Sequence, residues 1–254
     1  MFKFSDVKNP GVNYILPELY QPIYNHTEFD SMAIRNCYDR LEEIKKVYLA
    51  LEKEFNRPLR VLDLGCAQGF FSFNLASLGG IVTAIDSDEI SIKLCNLLAE
   101  ENPNLKIKFI CASIEDFIST IQADEYDLVL GLSIFKDLYK SNGFDKVKNM
   151  MADLSKKIPV GIFETERKNE PNSEDLPEKY LDVFDDFRIV KCISVNEIAN
   201  SETKRPTLFV SNDYIYFHEM GILKIDYAHN HNYVGSENIN RLFCFCGDKF
   251  VKVA

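Results

Sequence analysis

The stretch from Leu59 to Asp86 restricts the fold of this chain more than any other feature of its sequence. It begins with a short apolar run, Val61–Leu64, which is typical of a strand buried on both faces. A turn bounded by Gly65 and Gly69 follows, then an apolar segment of helical length, and then a second apolar run that ends at Asp86. The order strand, turn, helix, strand, acid predicts the first half of a nucleotide-binding βαβ unit.

The residue types in the turn indicate which ligand it suits. Glycine lets the backbone approach a ligand closely, and a carboxylate at the position of Asp86 can accept both hydroxyls of a ribose. A dinucleotide-binding turn would read G-x-G-x-x-G and hold a pyrophosphate. Here Ala67 replaces the middle glycine, and Asp63, just before the turn, would repel a pyrophosphate but suit a cationic ligand. S-adenosylmethionine, which has an ammonium, a sulfonium and a ribose but no phosphate, meets these requirements.

The turn therefore resembles motif I of the class I methyltransferases, with one glycine replaced by Ala67. The alternative is a buried strand that happens to end in glycine-rich sequence. That alternative would leave the joint spacing of Asp63, Gly65, Gly69 and Asp86 unexplained. We therefore expect these four residues to belong to the cofactor site.

Composition and charge restrict the class of protein to which the chain can belong. A chain of 254 residues with 46% hydrophobic content can bury a full α/β core. The net charge of −10 argues against a nucleic-acid partner. No apolar run approaches the length of a membrane span, no signal peptide is evident, and the seven cysteines form neither a disulfide framework nor a zinc pattern. We expect a cytoplasmic protein without a metal and without a transmembrane segment.

Hydrophobic periodicity and capping residues predict the order of the remaining elements. Helices are expected over 31–55, over 89–102 with Asp88 as the N-cap, and over 144–157, with a short helix after Ser113. Further strands are expected over 106–111, 126–130, 159–163, 187–194 and 207–211.

This order predicts an α/β, Rossmann-like fold with a mostly parallel sheet. We expect an N-terminal lid and helix over residues 1–58 and a cofactor-binding core over 59–212. Residues 213–254 form a C-terminal extension, in which residues 241–254 have the alternating pattern of a β-hairpin.

Several segments carry a closer resemblance. LPELYQPIYNH, VLDLGCAQGFFSFNLASLGG, YDLVLGLSIF and RPTLFVSN, within roughly residues 15–212, are similar to the methyltransferase part of the WbdD-like family. The members of this family are bifunctional methyltransferases and kinases that terminate bacterial O-antigen chains. The resemblance implies a seven-stranded class I methyltransferase sheet, S-adenosylmethionine as cofactor, and a glycan or sugar-phosphate acceptor. It also implies a kinase domain or a glycan polymerase as a partner, and action at the inner face of the plasma membrane.

The resemblance implies that one end of the cofactor site is built from the N-terminal segment. Tyr20 and Gln21 would come from the lid, and Arg40 would hold the methionine carboxylate with two parallel hydrogen bonds. Gly65 would line the methionine tail. As alternatives, Arg40 could be an exposed helix charge, and Tyr20 could simply pack in the core.

At the other end of the site, the resemblance implies that Asp86 contacts the ribose. Ile114 and Glu115 would contact the adenine, and Leu132 would form the far wall. As an alternative, Glu115 could be a first-turn acid that complements the helix dipole.

The acceptor is less constrained than the cofactor. A phosphate oxygen is already anionic near neutral pH and needs cations, whereas a hydroxyl needs a general base within hydrogen-bond reach. His26 and Glu164 are the candidate bases, and the first-choice cations are Lys136 and Arg205. Further candidate cations are Arg35, Arg167, Lys168 and Lys204. The other histidines, His218, His229 and His231, lie outside the predicted core.

In two places the sequence departs from the pattern of the family it resembles. It has Lys136-Asp137 where the family has two histidines, and no His-Arg-Asp or Asp-Phe-Gly motif follows the C-terminal hairpin. The resemblance implies that residues 213–254 are the incomplete start of a kinase N-lobe, so the chain could be a piece of a longer protein or a stand-alone methyltransferase with a residual hairpin. In both cases we expect a methyltransferase without kinase activity of its own, acting on a phosphate or a hydroxyl of a glycan end. The open alternatives are a small-molecule or sugar O-methyltransferase and a non-catalytic assembly domain.

Overall fold

The computed structural model describes residues 19–165, 180–187, 189–197, 204–212, 242–246 and 249–252. Six α-helices lie in this part of the chain: α1 Tyr38–Phe55, α2 Phe70–Ser77, α3 Glu89–Glu101, α4 Ile114–Thr120, α5 Phe135–Asn142 and α6 Phe144–Lys157. Short 3-10 helices span Thr27–Met32 and Tyr180–Phe184. The strands are β1 Arg60–Leu64, β2 Ile81–Asp86, β3 Ile107–Cys111, β4 Leu128–Gly131, β5 Val160–Glu164, β6 Ile189–Glu197, β7 Lys204–Ser211, β8 Leu242–Cys246 and β9 Lys249–Lys252.

The strands form one mixed sheet in the order β3-β2-β1-β4-β5-β7-β6-β8-β9. The first five strands in this order are parallel, and β7 joins antiparallel to both β5 and β6. The hairpin β8–β9 continues the sheet beside β6, so the predicted C-terminal hairpin adds two strands to the seven that the resemblance implied. The chain order reverses between β1 and β4, and in open α/β sheets ligands bind at that point, beyond the carboxyl ends of the strands.

Helices cover both faces of the sheet, which explains why β1 is apolar from Val61 to Leu64 except for Asp63. Val61 packs in the core cluster that includes side chains of α1, α2 and α3. Leu62 and Leu64 pack in the opposite cluster with side chains of α5 and α6. The carboxyl end of β1 is therefore fixed from both sides.

The N-terminal helix is shorter than the sequence predicted. It begins at Tyr38 and not near Ser31, because the chain up to Met32 forms a 3-10 helix and the residues after it pair with the start of the described chain. The backbone N–H of Ile34 donates to the carbonyl of Leu19, and that of Arg35 donates to the carbonyl of Tyr20. These two bonds hold the start of the described chain against the segment that directly precedes α1.

The sequence prediction also missed α5. Its buried residues Phe135, Leu138 and Tyr139 follow helical spacing, but the segment is only eight residues long and follows directly after a strand end. The other predicted elements agree with the structure within a few residues, and Asp88 and Ser113 cap α3 and α4 as predicted. Among the helices of the described residues, none has the length and apolar character needed to cross a bilayer.

Candidate active site

A cavity of about 770 Å³ opens at the carboxyl ends of β1, β2 and β4. Its volume lies in the range of sites for small organic ligands. Eight of the predicted site residues line it: Tyr20, Gly65, Asp86, Ile114, Glu115, Leu132, Lys136 and Arg205. The remaining six predicted site residues, Gln21, His26, Arg40, Asp63, Gly69 and Glu164, are not on its wall. Arg167, Lys168, His218, His229, His231 and the side chain of Lys204 lie outside the described residues.

The glycine turn forms one wall of this cavity in a conformation that excludes larger residues. Gly65 has a φ of +72°, and a Cβ added there would lie 2.7 Å from Cγ2 of Ile134. Gly69 has a φ of +75°, but its added Cβ would meet Phe109 and Cys95, so this glycine serves helix–sheet packing rather than the cavity. Ala67 also has a positive φ, of 48°, so it takes the backbone conformation that a glycine would favour.

Asp86 connects the turn to the cavity. Its Oδ2 accepts a hydrogen bond from the N–H of Ala67 at 2.8 Å, and its Oδ1 accepts one from the N–H of Asp88 at 2.9 Å. Each carboxylate oxygen can accept more than one hydrogen bond. Both oxygens can therefore still receive a ligand hydroxyl while the backbone fixes their position.

Asp63 lies beneath the turn and does not reach the cavity. It is almost fully buried and accepts a hydrogen bond from Oγ of Ser72 at 2.5 Å. Burial raises its pKa to about 7, against the lowering effect of the Ser72 hydrogen bond and with a smaller raising effect from Asp86. The geometry does not support the expectation that Asp63 faces a cationic ligand.

The raised pKa of Asp63 predicts a specific effect on stability. Because its folded-state pKa lies above the ordinary value, this carboxyl contributes stability below about pH 4 and loses that contribution as the pH rises through about 7. Asp63→Asn cannot ionise, so its unfolding free energy relative to the parent should rise by roughly 2–4 kcal/mol between about pH 4.5 and pH 8.

Urea unfolding at the two pH values measures this difference. Asp145→Asn makes the same substitution at an exposed position and serves as the control, whose difference from the parent should change much less than that of Asp63→Asn. A constant difference for Asp63→Asn as well would contradict the raised pKa.

Behind the cavity wall lies a buried ion cluster of Glu164, Arg35 and Arg40, each at most 2% exposed. Arg35 bonds both oxygens of Glu164, at 2.7 and 2.9 Å, and Nη1 of Arg40 lies 3.2 Å from Oε2. Burial by itself would raise the pKa of Glu164, but Arg40, Arg35 and the hydrogen bonds of Arg35 and Ser133 hold it below its ordinary value. Two guanidinium groups against one carboxylate leave a net positive charge.

This cluster changes the interpretation of three predicted residues. Glu164 is an ion-paired carboxylate of lowered pKa, so it is poorly suited to be a general base. Arg40 is directed at Glu164 and at Sγ of Cys37 and does not line the cavity. Arg35, expected as a cation for the acceptor, is buried in the cluster.

Two further predicted residues also lie off the cavity wall. His26 lies between Glu28 and Glu101, with its ring nitrogens 3.3 Å from each carboxylate. Glu101 ends α3, whereas the cavity lies where α3 begins, so the placement of His26 gives no support to its role as a base. Gln21 accepts a hydrogen bond from the N–H of Phe70 and so connects the N-terminal segment to the start of α2.

Sequence analysis missed several residues that shape the site. Gln68 in the turn accepts hydrogen bonds from the N–H groups of Tyr20 and Gln21, so it holds this part of the N-terminal segment against the turn. Its position inside the motif was the signal that could have identified it. The polar residues after β4 were also missed, and the cavity wall includes Ser133, Asp137, Ser141 and Asn142.

The wall formed by α5 and β7 carries charged side chains, whereas the turn contributes Gly65. Lys136 and Asp137 from α5 and Arg205 from β7 line this side. The side chains lining the cavity include no histidine among the described residues. In the same part of the chain, no group of three or more His, Cys, Asp or Glu residues is arranged to hold a metal ion.

Comparison with known proteins supports this description. A family model described as a methyltransferase domain matches residues 55–187. The O-antigen chain terminator bifunctional methyltransferase/kinase WbdD of Escherichia coli is 38% identical over 199 residues, which are 78% of this chain and 28% of that protein. A crystal structure of WbdD matches with a TM-score of 0.76 over 78% of this chain and 45% of the crystallised chain.

A ubiquinone biosynthesis O-methyltransferase of Rickettsia bellii is 32% identical over 123 residues, which are 48% of this chain and 45% of that protein. The present chain spans less than a third of the length of the Escherichia coli protein. The predicted resemblance and the predicted fold class are confirmed.

Proposed function

The chain belongs to the methyltransferase domain family, and on that premise we propose that it transfers a methyl group from S-adenosylmethionine to a phosphate oxygen at the non-reducing end of a bacterial surface glycan such as O-antigen. The family makes it an S-adenosylmethionine-dependent methyltransferase. The identity of the acceptor is the part that we propose.

The cavity residues fit the cofactor in shape and in chemistry. Asp86 presents two fixed carboxylate oxygens for the ribose, and Gly65 leaves no side chain in the path of the methionine tail. Ile114 and Glu115 offer an apolar surface and an acceptor for adenine. We propose that the adenine lies at this end of the cavity, so that the methionine tail extends toward Tyr20.

When bound, S-adenosylmethionine supplies an electrophilic methyl group on its sulfonium. The residues of the protein have to hold the acceptor oxygen in line with that methyl group and keep water away. A phosphate oxygen is already charged at neutral pH, so no residue has to remove a proton from it.

The observation that carries the phosphate proposal is the charge of the wall formed by α5 and β7. Lys136 and Arg205 line it from two different elements, and the described residues of the cavity include no histidine. Two cations can position a phosphate dianion, whereas a neutral hydroxyl would gain little from them. The alternative of a hydroxyl acceptor has its own candidate base in Asp137, which lines the same wall.

The proposal implies a preceding reaction, because a phosphate must first be placed on the glycan end. A kinase, in the same polypeptide or in a partner, is the class of enzyme that supplies it. The name of the Escherichia coli relative combines both activities, which supports this order. The proposal also implies action in the cytoplasm at the inner face of the plasma membrane.

Kinetics of single variants test the choice between the two acceptors. If the acceptor is a phosphate, Lys136→Met and Arg205→Met should each raise its Michaelis constant by about tenfold or more, because one hydrogen bond to a charged group contributes about 1.5–3 kcal/mol. Asp137→Asn should leave the maximal rate within a few-fold. The rate with parent enzyme should rise through about pH 6, where the phosphate takes its second charge.

A hydroxyl acceptor predicts the reverse pattern. Asp137→Asn would then reduce the maximal rate by about a hundredfold or more, since a general base contributes on that order. The two cation variants would have mild effects. His26→Gln is the control, because His26 lies outside the cavity wall, and it should not change the rate under either acceptor.

A further inference from the structure

Arg35 connects the lid to the cavity wall through a set of buried hydrogen bonds. Its Nη1 lies 3.2 Å from the hydroxyl oxygen of Tyr20 and 2.6 Å from Oγ of Ser133. Both of its terminal nitrogens bond Glu164, at 2.9 and 2.7 Å. Tyr20 and Ser133 line the cavity, whereas Arg35 and Glu164 do not. Arg35 can therefore influence a bound ligand only through its neighbours.

The chemistry of the guanidinium fixes the direction of these hydrogen bonds. A guanidinium has donors only, so the hydroxyl oxygens of Tyr20 and Ser133 can only be acceptors toward Arg35. The two N–H groups of Nη1 are shared among the oxygens of Tyr20, Ser133 and Glu164, and the contact to Tyr20 is the longest of the three. The hydroxyl of Ser133 in turn donates a hydrogen bond to Oε2 of Glu164. For the Tyr20 hydroxyl, the described residues provide the donor Arg35 and no acceptor. Its proton therefore remains available to an acceptor inside the cavity.

The charge around Tyr20 favours an anionic acceptor for that proton. The cluster of Arg35, Arg40 and Glu164 carries a net positive charge, and the Nε atoms of both arginines are buried without a hydrogen-bond partner among the described residues. The ribose and adenine ends of the cavity, in contrast, present the carboxylates of Asp86 and Glu115. An anionic group of a ligand is thus stabilised at the Tyr20 end and disfavoured at the other end.

We propose that Arg35 is a positioning residue that directs the Tyr20 hydroxyl proton into the cavity, where it donates to the carboxylate of the bound cofactor. The inference rests on the proposed function, because that function sets the methionine end of the cofactor near Tyr20. Tyr20 then contacts the carboxylate, and Arg35 orients and polarises the Tyr20 hydroxyl that makes this contact. Ser133 and Glu164 hold the guanidinium in place.

Binding calorimetry with two ligands tests this assignment. The first is S-adenosylhomocysteine, and the second is its decarboxylated analogue, 5′-(3-aminopropylthio)-5′-deoxyadenosine, which differs only in lacking the carboxylate. The parent should prefer the first ligand by about tenfold or more, as expected for a hydrogen bond to a charged group. Tyr20→Phe and Arg35→Lys should each reduce that preference at least about fivefold and leave the affinity for the analogue within about twofold.

Matched variants separate positioning from general structural damage. Tyr24→Phe changes another tyrosine of the lid, whose ring stacks on Phe73. Arg60→Lys changes an arginine that also bonds a buried carboxylate, Asp127, at the amino end of the sheet. Both should keep the preference of the parent.

Equal weakening of both ligands in Tyr20→Phe and Arg35→Lys would overturn the inference, since a merely structural role does not distinguish the carboxylate. If Arg35→Lys fails to fold, Tyr20→Phe decides the result in the same assay. Failure of the parent to bind S-adenosylhomocysteine would overturn the proposed function and this inference with it. Binding by the parent without a preference for the carboxylate would overturn the inference alone.

Discussion

Asp86→Ala is expected to weaken the binding of S-adenosylmethionine by roughly 2–4 kcal/mol, or about 30-fold to 1,000-fold in the dissociation constant. The variant would lose the two charge-assisted hydrogen bonds to the ribose that we propose. It also loses the bonds that Asp86 accepts from the N–H groups of Ala67 and Asp88, which fix the glycine turn. Calorimetric titration of the variant and the parent at the same ionic strength measures the difference.

Asp88→Ala is the matched control for this experiment. Asp88 is an acid only two residues away, but its side chain caps α3 by accepting from the N–H groups of Ile90 and Ser91. Its loss should cost about 1 kcal/mol of stability with little effect on cofactor affinity. If Asp86→Ala bound the cofactor as tightly as the parent, the ribose could not lie where we propose.

Glu164→Ala is expected to produce the largest loss of stability, about 3–5 kcal/mol at neutral pH. It leaves the guanidinium groups of Arg35 and Arg40 buried without their shared counterion. Because the pKa of Glu164 is lowered in the folded state, its contribution is present above its ordinary pKa and is lost as the pH falls through the lowered value. The difference between variant and parent should therefore shrink in acid.

Urea unfolding at about pH 7 and at about pH 3 tests both statements. Glu115→Ala is the control, because Glu115 pairs with Lys146 at the surface, and exposed pairs contribute less than about 1 kcal/mol. A loss below about 1 kcal/mol for Glu164→Ala would mean that the buried cluster does not stabilise the fold as described.

The sequence predicted several residues that line the cavity, because their positions are set by local rules. Gly65 and Asp86 belong to one strand–turn–helix–strand unit, and the spacing along the chain fixes their distance in space. Ile114 and Glu115 follow a strand end in the same way. For such residues, motif and secondary structure together determine the position.

The buried ion cluster could not be predicted in this way. Arg35 and Glu164 are 129 positions apart, and only the folding of the lid onto the sheet brings them together. From the sequence, Glu164 was predicted to be a base and Arg40 to contact the cofactor. The sequence around neither residue reveals that the two form a buried ion pair. Whether Asp63 points into the cavity or under the turn depends on the hydroxyl of Ser72, which the motif does not include.

A competition between two acceptors tests directly whether the protein methylates a phosphate. The protein is incubated with methyl-labelled S-adenosylmethionine and equal amounts of a terminal-sugar oligosaccharide and its phosphate monoester. We expect label in the phosphate monoester, as a methyl phosphate ester, at a rate that rises through about pH 6. Label in the unphosphorylated oligosaccharide alone would contradict the account and would identify a hydroxyl as the methyl acceptor.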